Sequence, residues 1–266
     1  MSSATPMQKS QPDPVAIFIS DLHLQQSHPE TRQAFFDFLR LHAIKARQLY
    51  LLGDLFEYWV GDDDVSDPFN AAVVTAIRQV SEAGIEIFWM AGNRDFLVGN
   101  DFAQAAGLTL LPDPAVVNIA GLKIALAHGD AQCTDDVSYM AFRAMVRQPE
   151  WQQEFLAKPL AQRKAVVAAM RSDSREAQKS KTYDIMDVNA EAIQRLFRES
   201  ATSIMIHGHT HRPARHEYKL DASHAATRYV LPDWECDGGV ERGGWISIDA
   251  DGTVNRYDTK AKKLPW

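Results

Sequence analysis

The stretch AIFISDLHL, Ala16 to Leu24, carries a short apolar, β-branched run straight into an Asp-Leu-His triplet, so that a buried strand delivers an aspartate and a histidine at its carboxyl end. Asp21 and His23 are two residues apart and project to one side of an extended segment. The same arrangement returns along the chain. Strands predicted over 48–52, 85–91, 123–127 and 203–207 are followed by Gly53-Asp54, Gly92-Asn93-Arg94-Asp95, His128-Gly129-Asp130 and Gly208-His209-Thr210-His211. Residues at the carboxyl ends of strands point into the crevice where α/β proteins place ligands, so these groups can converge. Glycines 53, 92, 129 and 208 suit tight turns and a close approach of backbone.

Between the runs, Phe35, Phe38, Leu39 and His42 share one face of a helix predicted to begin near Thr31, and Ala72, Val73, Ala76, Ile77 and Val80 mark a second. This alternation predicts a layered α/β fold with mixed β-sheets flanked by helices. Two apolar runs about Ala120-Gly121 predict a hairpin within 114–127, and 229–248 adds strand signals around a turn rich in glycine.

The 266 residues are 45% hydrophobic and 24% charged, with a formal charge of −7, which excludes disordered and collagen-like classes. An acidic chain is unsuited to wrapping nucleic acid, and no nucleic-acid partner is expected. Nor is an obligate protein partner. No apolar run approaches the roughly 20 residues of a membrane span, and residues 1–14 read as a flexible, polar N-terminus without the regions of a signal peptide. Cys133 and Cys236 sit in neither CxxC nor CxxH spacing and read as reduced thiols. The expectation is a cytoplasmic protein.

The stretch 139–183 breaks the alternation and reads as consecutive helices, with Pro149 and Pro159 as starts or breaks. It holds nine Lys or Arg against four acids, a local +5 within the −7 chain, together with Met140, Phe142, Met145, Val146, Trp151, Phe155, Leu156 and Met170. One reading is a satellite core with a solvated basic face. The other is a cap that meets an amphiphilic anion. The division expected is a helical cap at 135–185 inserted between 15–134 and 186–266.

Carboxylate, imidazole and amide oxygen without thiolate favour Mn²⁺, Mg²⁺ or Fe over structural zinc. Seven donors, Asp21, His23, Asp54, Asn93, His128, His209 and His211, are too many for one catalytic ion. They suit two ions roughly 3.5 to 4 Å apart that share a carboxylate, for which Asp54 is the natural bridge. Two such cations lower the pKa of a shared water and neutralise an attacked phosphoryl group, which points to phosphoester hydrolysis by water. In chain order, DxH, GD, GN, H and GHxH resemble the signature of the calcineurin-like metallophosphoesterases, from Asp21 to His211. The resemblance implies one metal on Asp21, His23, Asp54 and His211 and a second on Asp54, Asn93, His128 and His209. His207 lies outside the pattern and reads as a core or supporting residue. Asp95 and Asp130 read as carboxylates that orient histidine or backbone.

Many members of that superfamily have, after the GN asparagine, a histidine that assists the leaving group; here the residue is Arg94. Arginine stays charged and cannot serve as an acid, but it clamps phosphate bidentately. A phosphate leaving group hardly needs an acid, so a pyrophosphate bond is the expected target. The longer strings ISDLHL (19–24), GDLFEYWVGDD (53–63), GNRDFL (92–97), HGDAQCTDD (128–136), IMDVN (185–189) and HGHTHRP (207–213) resemble the UDP-2,3-diacylglucosamine hydrolase family over about residues 16–250. That resemblance implies a Mn²⁺-dependent pyrophosphatase of lipid A synthesis, peripheral on the cytoplasmic face of the inner membrane. It would give UMP and 2,3-diacylglucosamine 1-phosphate (lipid X) by water attack at the α-phosphorus. It further implies catalytic roles for Asp54, Asn93, Arg94 and His128 and substrate contacts for Asn93, Arg94, Asp136, Ser174, Lys181 and His209. Gln178 stands where the family has asparagine, one methylene longer. Asp136 also reads as a helix cap before Val137, and Lys181 as a solvated charge. Two alternatives remain open at this point: a metal-dependent phosphatase or phosphodiesterase for a protein or nucleotide, and a metal-stabilised binding module without activity.

Overall fold

The run Ala16-Ile-Phe-Ile forms strand β1 (Ala16–Ile19) with every residue buried, as a strand covered on both faces requires. The computed structural model describes residues 14–179 and 187–266, with 172–179 described as helix backbone only. Outside the described part lie Lys181, the side chains of Ser174 and Gln178 and, apart from Pro14, the expected flexible segment. After β1 come α1 (Pro29–Leu41), β2 (Gln48–Leu52), α2 (Pro68–Glu82), β3 (Glu86–Met90), α3 (Asn100–Ala106), β4 (Thr109–Leu111), β5 (Ala115–Ile119) and β6 (Leu122–Ala127). Then follow α4 (Val137–Val146), α5 (Pro149–Leu156), α6 (Leu160–Lys179) and α7 (Ala190–Ser200). The chain finishes with β7 (Ile204–His207), β8 (Arg215–Lys219), β9 (Ala225–Val230), β10 (Gly244–Ile248), β11 (Val254–Asp258) and β12 (Lys263–Leu264).

The strands form a seven-stranded sheet ordered β12-β11-β10-β1-β2-β3-β4 and a five-stranded sheet ordered β5-β6-β7-β9-β8. Both are mixed: β1 runs parallel to β2 and antiparallel to β10, and β6, β7 and β9 are parallel while β5 is antiparallel to β6. Strand alternation sorts the apolar side chains into layers. Ala16, Phe18, Tyr50, Leu52 and Met90 meet Ile124, Leu126, Ile206 and Tyr229 of the second sheet. Ile17, Ile19, Leu49, Leu51 and Trp89, on the opposite face, meet Phe35 and Phe38 of α1, Val73 and Ile77 of α2 and Phe102 of α3. Ala125, Ala127 and Met205 on the far side of the second sheet are covered by Ile193, Leu196 and Phe197 of α7. The result is helix, sheet, sheet, helix, the mixed α/β arrangement expected. Each fully buried side chain such as Phe35 or Phe102 contributes about 1.5–3 kcal/mol to holding it.

The helix predicted from near Thr31 starts earlier, at Pro29, because proline at the first helical position gives up only an N–H that has no partner there. Asp237 accepts the next N–H groups, those of Glu30 and Thr31. The hairpin about Ala120-Gly121 is β5–β6. The strand signals of 229–248 become the end of β9 and all of β10, with the bridge Glu235–Arg242 closing the turn that contains Gly238 and Gly239.

Helices α4, α5 and α6 follow one another without a strand, Pro149 opening α5 and Pro159 directly preceding α6. Their apolar residues divide between the two sequence readings. Val146 and Phe155 are buried, and Trp151, Val166 and Val167 pack against the main core, whereas Val137, Met145 and Leu156 are exposed. Polar clamps also hold these helices to the loops beyond β2 and β3. Buried Arg163 donates to Lys158 O and Val60 O and pairs with Asp63, and Arg147 donates to Gly92 O at 2.8 Å.

Candidate metal centre

The loops leaving β1, β2, β3, β6 and β7 bring all seven expected donors together. Asn93 Oδ1 lies 2.9 Å from both His128 Nε2 and His209 Nδ1. His128 Nε2 is 3.7 Å from Asp54 Oδ1, and His211 Nε2 is 3.4 Å from Asp21 Oδ1. His23 Nε2 and His211 Nε2 face each other at 3.2 Å. Two sets of donors each lie within 4.8 Å, namely Asp21, His23 and His211, and Asp21, Asp54 and His128.

Five of these residues reach the centre through left-handed backbone, with φ of 56° at Asp21, 48° at His23, 53° at Asp54, 65° at His209 and 56° at His211. Each costs on the order of 1–3 kcal/mol, strain that the surrounding hydrogen bonds must overcome. Those bonds run between the loops: Asp21 N donates to Gly53 O and His23 N to Asp54 O, while His209 N donates to Asp21 Oδ2 and Arg94 N to Asp54 Oδ1. Two glycines make the room. A Cβ on Gly92 would sit 2.1 Å from Asp54 Oδ1, and one on Gly208 would sit 2.2 Å from Asp21 Oδ2.

The donor set fits a divalent cation. Asp21 Oδ1 is buried and makes no well-aligned hydrogen bond among the described residues, its neighbour being His211 Nε2 at 3.4 Å, an expensive state for a carboxylate oxygen unless a cation faces it. All donor atoms are oxygen or imidazole nitrogen, the chemistry of Mn²⁺, Mg²⁺ or Fe. Burial opposes the ionised form of Asp21, yet the adjacent His211 and the charges of the His128 and His23 imidazoles hold its carboxyl well below the ordinary carboxylate range. Burial likewise opposes charge on His128, but Asp54, Asp21 and Asp130 outweigh it and push the imidazole up to about 9. His209 goes the other way, to about 4, through burial and the charge of His128.

The residues read as supporting are found around this set. Asp95 accepts the backbone N–H groups of Asp54, Leu55, Phe56 and Gly92, and burial with the neighbouring Asp54 charge raises it to about 7. Asp130 accepts from Tyr139 Oη and Arg143 Nε. His207 accepts from buried Arg228 and donates Nδ1–H to Gly208 O, which braces the GHTH loop. Asp136 caps α4, accepting Tyr139 N at 3.1 Å. Arg94 places its backbone against Asp54, with a buried Nε that has no hydrogen-bond partner among the described residues.

Three contributors were not foreseen. Ser20 Oγ donates to Asp21 Oδ2 at 2.5 Å, Asp233 Oδ2 lies 3.6 Å from His211 Nδ1, and Glu57 Oε2 lies 3.2 Å from His23 Nδ1. Asp233 is remote in sequence from any motif. Glu57 sits inside the quoted 53–63 string, but only the pairing of 54–57 beside 23–24 sets it against His23.

Residues 15–213 match the calcineurin-like phosphoesterase family, and the chain belongs to it. Curated relatives extend over more of the sequence. The UDP-2,3-diacylglucosamine hydrolase of Aromatoleum aromaticum is 49% identical over 222 residues, 84% of this chain and 90% of the relative. That of Cellvibrio japonicus is 47% identical over 84% and 92%, and that of Escherichia coli O7:K1 is 45% identical over 88% and 95%. Within the phosphoesterases, the chain is thus a member of the UDP-2,3-diacylglucosamine hydrolase family.

Proposed function

We propose that this protein hydrolyses the pyrophosphate bond of UDP-2,3-diacylglucosamine to UMP and 2,3-diacylglucosamine 1-phosphate, a step of lipid A synthesis. The observation that carries the hydrolytic reading is the convergence of Asp21, His23, Asp54, Asn93, His128, His209 and His211 on one point. The relatives' shared name supports the substrate. Asp21, His23, Asp54 and His211 would hold one divalent ion and Asp54, Asn93, His128 and His209 a second, Mn²⁺ foremost. The Asp54 carboxylate raises the pKa of both His23 and His128, as suits a group lying between the two sets. When bound, such ions lower the pKa of water and neutralise phosphoryl charge.

The chain's own residues do the rest. The Arg94 guanidinium clamps the pyrophosphate, and because the departing lipid phosphate is a weak base, no protonating residue is needed beside it. Water adds to the α-phosphorus, the bond to the bridging oxygen breaks, and the lipid leaves as its 1-phosphate. The unit 135–185 acts as a cap over the core formed by 15–134 and 186–266. Asp136, Ser174, Gln178 and Lys181 on that cap contact the glucosamine and phosphates, and its apolar residues take the acyl chains. Among the described residues no helix is long and apolar enough to cross a membrane. Exposed Val137, Met145 and Leu156 on the basic cap support peripheral attachment to the cytoplasmic face of the inner membrane.

The test is turnover of UDP-2,3-diacylglucosamine by the Mn²⁺-supplemented protein in ¹⁸O-water. Label in UMP is expected. Label in the lipid phosphate refutes attack at the α-phosphorus. Failure to turn over, with hydrolysis of simpler phosphoesters, moves the protein to a general phosphatase.

A further inference from the structure

We propose that Glu57 is a positioning residue that fixes the His23 imidazole and links it to the cap through Arg171, so that metal binding and cap docking favour one another. The inference rests on the metal reading of the site given above. His23 has its Nε2 toward His211 Nε2 at 3.2 Å and its Nδ1 toward Glu57 Oε2 at 3.2 Å. Nδ1 makes no well-aligned hydrogen bond among the described residues, but a carboxylate 3.2 Å away favours the proton on that nitrogen electrostatically and leaves the Nε2 lone pair facing inward, the tautomer a ligand needs. Glu57 is held in place by its own backbone: Glu57 N donates to Leu24 O and His23 N to Asp54 O, so two extended segments run side by side.

The second oxygen, Glu57 Oε1, accepts from Arg171 Nη2. Arg171 belongs to α6, and its guanidinium also lies 5.2 Å from the centre of the Tyr58 ring. All three partners are largely shielded, with side-chain exposures of 17% for His23, 14% for Glu57 and 16% for Arg171. The Glu57–Arg171 ion pair so placed is little screened by salt, and removing Arg171 leaves Glu57 with the charge of Arg94 as its remaining arginine partner. Buried Arg163, two turns earlier on α6, fastens the helix to Val60 and Asp63 of the same loop. Arg163 therefore holds the helix on the loop, while Arg171 continues through Glu57 to a metal-binding histidine. Because coupling free energy is reciprocal, a cap that steadies Glu57 strengthens metal binding by the same factor by which metal strengthens the cap contact.

The experiment uses the full chain, stripped of metal with a chelator, and Mn²⁺ alone as ligand. Calorimetric titration gives the affinity, and amide hydrogen exchange of residues 160–171 is followed with and without the ion. In the wild type, Mn²⁺ slows exchange in this part of α6. Glu57→Gln weakens Mn²⁺ binding by roughly 10- to 100-fold and abolishes that slowing; Arg171→Met weakens it by roughly fivefold. A purely structural Glu57 would lower the melting temperature of the apo protein while leaving Mn²⁺ affinity within twofold of wild type, and that result overturns the proposal. Should Glu57→Gln fail to fold, Arg171→Met decides alone, since it touches no donor residue and unchanged affinity there also overturns it. A wild-type protein that binds no divalent ion fails at an earlier step and removes the metal reading itself.

Discussion

Replacing Gly92 by alanine should damage the site far more than the fold. The added Cβ would lie 2.1 Å from Asp54 Oδ1 and 2.3 Å from Asp54 N, against the roughly 3.5 Å at which non-bonded atoms are comfortable. Asp54 must retreat by about 1 Å or the Gly92 loop must rise by the same amount. Overpacking of this size costs about 1–3 kcal/mol of stability, and a displacement of about 1 Å at a reacting centre costs on the order of 100-fold in rate, equivalent to about 2.7 kcal/mol of activation free energy. Gly92 is not in the left-handed region, so backbone strain adds nothing and the contact with Asp54 is the whole cause. Gly84→Ala supplies the contrast: its φ is +91° with nothing within 4 Å, so it should cost about 1 kcal/mol of stability with no loss of kcat. Thermal melts paired with kcat and Mn²⁺ titration read both quantities. Gly92→Ala with wild-type kcat and Mn²⁺ affinity would refute the placement of Asp54 as a group shared by two metal sets.

Three further outcomes follow from the same geometry. Arg94→His should raise hydrolysis of simple alkyl phosphates while sparing that of the pyrophosphate, and equal loss on both substrates would count against Arg94 as a clamp. Asp95→Asn puts an NH₂ where the carboxylate now accepts four backbone N–H groups; the melt should report a loss of about 2–4 kcal/mol, and unchanged stability would mean the loops do not depend on it. For pH, His128 in the apo protein titrates near 9 instead of 6.5. Its contribution to apo stability is therefore complete below pH 6.5 and lost as pH rises through 9. A ligand must be neutral, so Mn²⁺ affinity should climb by up to tenfold per pH unit between 6.5 and 8. Affinity that does not change over that interval would exclude His128 as a ligand that must first lose a proton.

What the sequence displayed was chemistry at strand ends. The apolar runs at 16–19, 48–52 and 204–207 are largely buried strands because both faces are covered, and near-continuous runs of this length flanked by turn residues are the pattern such strands leave. Strand β8, Arg215–Lys219, is an edge strand of alternating exposure, polar enough to pass for a loop. The donor residues were legible because Asp, Asn and His recur at fixed distances after those runs. Their supports were not. Ser20, Glu57 and Asp233 act only through pairing of segments far apart in sequence, a relation that no local pattern encodes.

The backbone at the donors carries the same lesson. Asp21, His23, Asp54, His209 and His211 all adopt positive φ, and asparagine, aspartate and histidine are the non-glycine residues that enter this region most readily. The residue types proposed to hold the cation are thus also those that tolerate the turn which aims them. That tolerance lets one short loop both reverse and coordinate, while the bulk is surrendered next door, at Gly92 beside Asp54 and Gly208 beside Asp21. A strained loop of this kind persists only if the surroundings over-determine it. Asp95, with four backbone donors, and His207, braced by Arg228, do so for opposite halves of the site. The supporting polar groups are therefore part of the metal centre's construction: without them the same seven donors would relax toward ordinary turns, and the convergence that permits hydrolysis would be lost with the fold intact.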